Sequence, residues 1–219
     1  LKRALHKGES RLLAVVGASG SGKSSLVRAG LIPALRESKA FAMWEPAILT
    51  PGSSPLQALT DRLALSTEID GLTIRNTLGK GETGLHDVVR ELLRGRPGDA
   101  RYLLIVDQFE EVFTQGQSEA TAFIALLTHA ATAAGGQAYI VLTMRADFFD
   151  RLGAHPDLAR LVKDNLYYVT DMKPANLRTS IETPAEKVGL VYEDGLIDAL
   201  LEEVREQPGS LPLLQYALK

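Results

Sequence analysis

The sequence predicts a three-layer α/β/α fold built on a mainly parallel, five-stranded sheet. Short apolar runs alternate along the chain with amphipathic patterns of helical period. Most of these runs are continuously apolar, which is typical of parallel strands that are buried on both faces. Strands separated by helices indicate right-handed βαβ crossovers. The predicted strands span residues 11–17, 46–50, 102–107, 138–144 and 166–171.

Helical patterns lie between these strands and also follow the last one. Those between strands cover residues 24–38, 55–66, 84–95 and 118–135. Residues 66–84 are rich in Gly and Thr, and we predict a loop with short pieces of structure there. From Pro174 onward the pattern is helical with no further strand. We therefore predict an α/β core over residues 1–173 and a helical subdomain over residues 174–219.

Composition excludes several classes of function. The 219 residues include no Cys, which rules out disulfides, thiolate metal sites and a Cys nucleophile. The 4 His residues share no ligand spacing, which argues against a zinc site. Lys and Arg number 24 against 27 Asp and Glu, and the basic residues are dispersed, so a nucleic-acid groove has little support. No apolar run approaches the roughly 18 residues of a membrane span, so we expect a cytoplasmic protein without a membrane partner.

The decisive motif is GASGSGKSS, which directly follows the first predicted strand and opens a helix. It fits the phosphate-loop pattern G-x-x-x-x-G-K-[ST], in which glycines let backbone N–H groups form a concave anion site. The helix that begins near Lys23 adds its positive end. Lys23 is expected to reach the β and γ phosphates, and the Ser24 hydroxyl to bind Mg²⁺. The predicted nucleotide-binding residues are Gly17, Ala18, Ser19, Gly20, Ser21, Gly22, Lys23, Ser24 and Ser25.

Acidic residues follow the third predicted strand, in YLLIVDQFEE. Asp107 ends this strand, at the sheet edge where ligands of open parallel sheets bind, and is the second predicted Mg²⁺ ligand. Glu110 or Glu111 is the expected base for an attacking water, and the sequence does not decide between them. Gln108 stands where many ATPases carry a Glu, which keeps a binding module without hydrolysis open as an alternative.

Arg145 follows the fourth predicted strand, in AYIVLTMRADFFD. Its position at the same sheet edge predicts a contact with the γ-phosphate, through which the side chain would report the state of the nucleotide. The alternative is a surface Arg that pairs with Asp147 or Asp150.

Together these segments resemble the STAND class of P-loop NTPases, and most closely the bacterial STAND modules often joined to WD-repeat propellers. VVGASGSGKSSLVRAGLIPALR is similar to that group's phosphate loop and first helix, LLIVDQFEEVFT to its metal-binding strand, and LTMRADFFDRL to its sensor strand. PGSLPLLQYAL, with Gly209 and Pro212, resembles the helical-subdomain motif whose proline packs against adenine.

The resemblance implies an ATP/ADP-binding switch that hydrolyses slowly, self-oligomerises on activation and serves bacterial signalling in defence or cell death. The chain lacks an initiator Met and ends within an apolar helical pattern, so we expect sensor and effector domains outside this segment. A turnover ATPase of the AAA or helicase kind is the alternative enzyme. The other alternative is a nucleotide-binding scaffold without hydrolysis.

Overall fold

Five parallel strands form one sheet, and they confirm the predicted fold class. The structure is a computed structural model that describes residues 11–170 and 172–205. Every strand pairing is parallel, in the order β2-β3-β4-β1-β5. The strands are β1 (Leu12–Gly17), β2 (Trp44–Leu49), β3 (Arg101–Val106), β4 (Ala138–Arg145) and β5 (Leu166–Val169).

The helix after β1 is irregular. This helix, α1, begins as Lys23–Ser25, continues as the π-helical stretch Leu26–Leu31 and ends as Ile32–Arg36. Pro33 lies in its second half and has no N–H to donate, and a wide turn just before such a residue is a common accommodation. The other helices are α2 (Pro55–Ala64), α3 (Gly71–Leu78), α4 (Gly84–Leu92), α5 (Glu111–Thr114), α6 (Ala120–Thr132), α7 (Pro156–Asp164), α8 (Pro174–Lys187) and α9 (Leu196–Arg205).

Alternate side chains of the central strands fill two hydrophobic cores, one on each face of the sheet. In β1, Leu12, Ala14 and Val16 belong to the larger core, whereas Leu13 and Val15 belong to the smaller one. The larger core includes side chains of α2, α3, α4, α6 and α7, and the smaller one packs against α1. Because both faces of the central strands β1, β3 and β4 are covered, these strands are largely apolar, as the sequence indicated.

Within residues 66–84, where the sequence predicts a loop with short pieces of structure, the structure contains the 8-residue helix α3. Asp70 caps this helix: its carboxylate accepts hydrogen bonds from the Thr73 N–H at 2.9 Å and the Thr73 hydroxyl at 2.6 Å. Ile74 and Leu78 are buried in the larger core. The cap and these two apolar contacts outweigh the low helix propensity of the Gly and Thr residues.

A third, separate apolar cluster lies in the region after β5. Leu177 and Ile181 of α8 are buried there against Tyr192 and α9. Among the residues that the structure describes, neither the strands nor the helices of the two sheet cores contribute to it. Within residues 11–170 and 172–205, every helix is too short or too polar to cross a bilayer.

We expect Gly17→Ala to destabilise the sheet, because β5 approaches β1 closely at this position. A Cβ on Gly17 would lie 2.6 Å from the Val169 carbonyl oxygen and 2.9 Å from Ser21 Oγ. Relieving such overpacking costs about 2 kcal/mol, which chemical denaturation would measure. Gly153→Ala is the matched control, since a Cβ there meets nothing within 4 Å. Equal unfolding midpoints for the two variants would contradict the expected effect.

Candidate functional site

The carboxyl ends of β1, β3 and β4 lie side by side and carry the site. Gly17 of β1 is in register with Arg145 of β4 and with Val169 of β5. Asp107 follows β3 directly, and its N–H still donates to the Leu49 carbonyl of β2 at 2.9 Å. The strand order therefore brings together segments that are far apart in the sequence.

The phosphate loop turns sharply between β1 and α1. Gly20 has a φ of 71° and Gly22 a φ of 85°, a left-handed backbone that favours glycine. Ala18 and Ser19 are exposed at the tip of the loop. Ser21 is buried, and its Oγ has no hydrogen-bond partner among the described residues. An unpaired hydroxyl inside a glycine-rich turn at a helix start fits an anionic group such as phosphate.

The Lys23 ammonium folds back onto this loop. Lys23 as a whole is 8% exposed, and its Nζ donates to the carbonyl oxygens of Gly17 at 3.1 Å and Ala18 at 2.6 Å. Burial lowers the pKa of Lys23, and the nearby Glu110 carboxylate opposes that shift. The cation is thus held beneath the loop, where a phosphate would be an alternative partner.

Asp107 is the centre of a hydrogen-bonded cluster. Its Oδ1 accepts from the Ser24 hydroxyl at 2.7 Å and from the Thr143 hydroxyl at 2.6 Å. Its Oδ2 accepts from Arg28 Nε at 2.8 Å. Burial alone would raise the pKa of Asp107, but the bonds from Thr143, Ser24 and Arg28 hold it below the usual value. The carboxylate and hydroxyl oxygens of Asp107 and Ser24 are hard ligands that suit Mg²⁺.

Glu110 and Glu111 have different surroundings. Glu110 Oε2 accepts from the Arg145 N–H at 3.3 Å, and burial raises the pKa of Glu110 despite its backbone hydrogen bonds and the charge of Lys23. Glu111 Oε2 instead accepts from the Gly52 N–H at 2.9 Å, in the loop after β2. Glu110 is therefore the carboxylate beside Lys23, whereas Glu111 binds the backbone of the loop that follows β2.

The Arg145 guanidinium forms an ion pair with Asp147, as expected if Arg145 is a surface residue rather than a phosphate ligand. Its Nε and Nη2 lie 3.0 and 2.6 Å from the two carboxylate oxygens of Asp147. The guanidinium also lies over the Phe148 ring, 5.3 Å from its centroid. Both members of the pair act electrostatically on Lys23. A contact of Arg145 with the γ-phosphate stays a prediction.

The sequence does not predict two members of the site, Thr143 and Arg28. Thr143 is a buried hydroxyl in the otherwise apolar β4, and Arg28 lies one helical turn beyond Ser24. An isolated polar residue in a buried strand was the available signal for Thr143. The i, i+4 spacing from Ser24 was the signal for Arg28. Gly209 and Pro212 lie outside the described residues.

A cavity of about 930 Å³ joins the phosphate loop to α8. Ser21, Gly22 and Ser25 line one side of it, together with the start of the π-helical stretch. Ile181, Ala185 and the segment that follows α8 line the other side. A volume in this range is typical of sites that enclose a small molecule.

Comparison with solved structures gives the same architecture. A Walker-type ATPase of Pyrococcus abyssi matches 95% of this chain and 63% of its own, with a TM-score of 0.61 and 16% identity. The ORC1 protein of Aeropyrum pernix, solved in complex with DNA, matches 100% of this chain and 56% of its own, with a TM-score of 0.67 and 16% identity. The ADP form of ORC2 from the same organism matches 93% of this chain and 55% of its own, with a TM-score of 0.64 and 12% identity. The chain thus spans less than two thirds of these proteins.

Sequence comparison identifies the family. No protein with a curated description matches the sequence at a significant level. The profile of the family described as novel STAND NTPase 1 matches residues 1–219, the whole chain. This match agrees with the phosphate loop, the acidic cluster at the end of β3 and the parallel sheet. The chain therefore belongs to the novel STAND NTPase 1 family and is a nucleotide-binding P-loop NTPase module.

Proposed function

We propose that this module binds ATP and ADP, hydrolyses ATP slowly and acts as a nucleotide-dependent conformational switch. The observation that carries the proposal is the cavity between the phosphate loop and α8. One wall offers an anion site, and the other offers apolar side chains for a flat base. A ligand that contacts both walls stabilises their closed arrangement, which is how ligand binding shifts a conformational equilibrium.

The residues at the sheet edge have distinct proposed roles. Lys23 neutralises the β and γ phosphates, and residues 17–25 surround them with backbone and hydroxyl donors. Ser24 and Asp107 would hold Mg²⁺, which, when bound, supplies positive charge to the phosphates. Glu110 takes the proton of the attacking water. Arg145 would exchange Asp147 for the γ-phosphate, so that its position depends on which nucleotide is present.

We also propose that the α/β core ends at residue 173 and that a helical subdomain begins at 174. The separate apolar cluster of α8 and α9 supports this boundary, because each domain normally has its own core. Self-oligomerisation and a role in bacterial defence or cell-death signalling come from the resemblance to STAND modules. The cytoplasmic location is likewise proposed.

The test is to denature the purified protein and identify any released nucleotide by chromatography. Stoichiometric ADP would support a resting switch and an adenine preference. Steady turnover near 1 s⁻¹ or above, the lower end of common kcat values, would instead favour a turnover ATPase. Tight ATP binding without any phosphate release would favour a scaffold.

Two neighbouring positions of α8 test the cavity as the nucleotide site. Ser180 lines the cavity and Thr179 does not, although both are exposed and both hydroxyls bond a backbone carbonyl of the same helix. We expect Ser180→Trp to weaken ADP binding roughly tenfold, or about 1.4 kcal/mol, by occupying part of the space. Thr179→Trp is the matched control. Calorimetric titration measures both, and equal ADP affinities would remove the cavity from the proposal.

A further inference from the structure

The site contains a positively charged side chain, that of Arg28, which is hydrogen-bonded to the predicted metal-binding carboxylate of Asp107. Arg28 lies in the π-helical stretch of α1, and its Nε donates to Asp107 Oδ2 at 2.8 Å. The Arg28 side chain is 51% exposed, whereas that of Asp107 is 2% exposed. A buried carboxylate therefore receives its charge partner from a side chain that reaches in from the surface.

The two oxygens of Asp107 are used differently. Oδ1 accepts from both Ser24 and Thr143, which fix the carboxylate in the sheet edge. Oδ2 accepts only from Arg28 among the described residues. Because Oδ1 already accepts two hydroxyl groups, Oδ2 is the oxygen through which Asp107 can take a further partner.

We propose that Arg28 competes with a divalent cation for Asp107 and so sets the cation requirement of the nucleotide site. This inference rests on the proposed nucleotide binding. With Arg28 in place, the buried carboxylate is neutralised without a metal, and its charge does not repel the phosphates of a bound nucleoside diphosphate. Arg28 then swings outward when a divalent cation takes over Oδ2, which its exposed position allows. Arg28 is thus a positioning residue that permits ADP to stay bound in a metal-free site.

The competition predicts opposite effects on cation binding and on metal-free nucleotide binding. Arg28→Gln removes the competing charge, so Mn²⁺ should bind the ADP complex about three- to tenfold more tightly, the range expected for a half-exposed charge pair. Without Arg28, Asp107 is left unneutralised near the phosphates. Metal-free ADP binding should therefore weaken, and the ratio of the ADP Kd in EDTA to the ADP Kd in Mg²⁺ should rise, because the linkage between the two ligands is reciprocal.

The experiment measures Mn²⁺ binding by electron paramagnetic resonance and ADP binding by calorimetry on the full chain. Arg36→Gln is the matched control, since it removes an exposed positive charge from the end of the same helix. Arg28→Lys, which keeps the charge but loses the Nε donor, should give a Mn²⁺ affinity between those of wild type and Arg28→Gln. This variant also keeps the test decisive if Arg28→Gln folds poorly.

Failure of the two proposals would look different. If wild type binds no ADP in either buffer, nucleotide binding itself is wrong and the role of Arg28 falls with it. If ADP binds but Arg28→Gln and Arg28→Lys leave the Mn²⁺ affinity unchanged or weaken it, the competition alone is overturned. In an Asp107→Asn background, Arg28→Gln should no longer alter Mn²⁺ binding, and a persisting effect would also overturn the proposal.

Discussion

Lys23→Ala should weaken ADP and ATP binding by roughly 100-fold, close to 3 kcal/mol, because it deletes a charged hydrogen-bond donor from a desolvated site. Lys23 is 8% exposed, and its ammonium already lies within 3.1 Å of the loop carbonyls that it would leave for phosphate. No other described residue donates to those two carbonyls through a cationic side chain. Both nucleotides should lose affinity because both carry a β-phosphate, and the loss should be at least as large for ATP, whose γ-phosphate Lys23 would also contact.

Calorimetric titration with a circular-dichroism check of folding measures this effect. Lys39→Ala is the control, because Lys39 is an exposed lysine in the short 3₁₀ turn after α1. The variant should not lose stability, since burial disfavours the charged form of Lys23 and lowers its pKa. Undiminished nucleotide affinity in folded Lys23→Ala would overturn the proposed site as a whole.

Glu110→Gln and Glu111→Gln should have different effects, the first on the rate of ATP hydrolysis and the second on the stability of the fold. Removing a general base slows the proton-transfer step by about 10²- to 10⁴-fold, so single-turnover ATP hydrolysis should collapse in Glu110→Gln while ADP binding persists. Glu111→Gln should keep most of the hydrolysis rate but lower the unfolding free energy by about 1 kcal/mol, because the Gly52 N–H loses a charged acceptor. The reverse pattern would assign the base to Glu111.

The raised pKa of Glu110 adds a pH dependence to this comparison. Hydrolysis requires the ionised carboxylate, so its rate should rise with pH through the raised pKa of Glu110. The free energy of unfolding depends on pH in the opposite direction. The folded state favours protonated Glu110, so this contribution is full below the unfolded pKa and is lost as pH rises through the folded pKa. Glu110→Gln should therefore raise the unfolding midpoint at neutral pH.

Most of the fold was predictable because parallel strands leave a strong signature. The runs around Leu13, Leu104 and Ile140 are apolar without alternation, and each became a strand buried on both faces. The helix α3 was not predicted, because its stability comes from the Asp70 cap and two core contacts rather than from propensity. Periodicity also did not reveal the π-helical stretch of α1, since it depends on how Pro33 is accommodated.

The candidate site was predictable where a motif fixes the backbone and not where a partner arrives from elsewhere. The phosphate loop specifies its own turns, so Lys23 and Ser24 follow from spacing alone. The hydrogen bonds of Asp107 depend instead on which strand lies beside β3, and a linear pattern does not state that order. The different surroundings of Glu110 and Glu111 likewise depend on the positions of Arg145 and Gly52, which the sequence does not give.

The strand order has a consequence for the time at which this site forms during synthesis. β1 is made first, yet its two neighbours are β4 and β5, the last strands to emerge. β2 and β3 can pair with each other while both edges of β1 stay open. Asp107 meets Ser24 across 83 residues and Thr143 across 36. A nascent chain that ends before β4 therefore carries the phosphate-loop sequence without the site, and nucleotide can assist folding only after nearly the whole sheet exists.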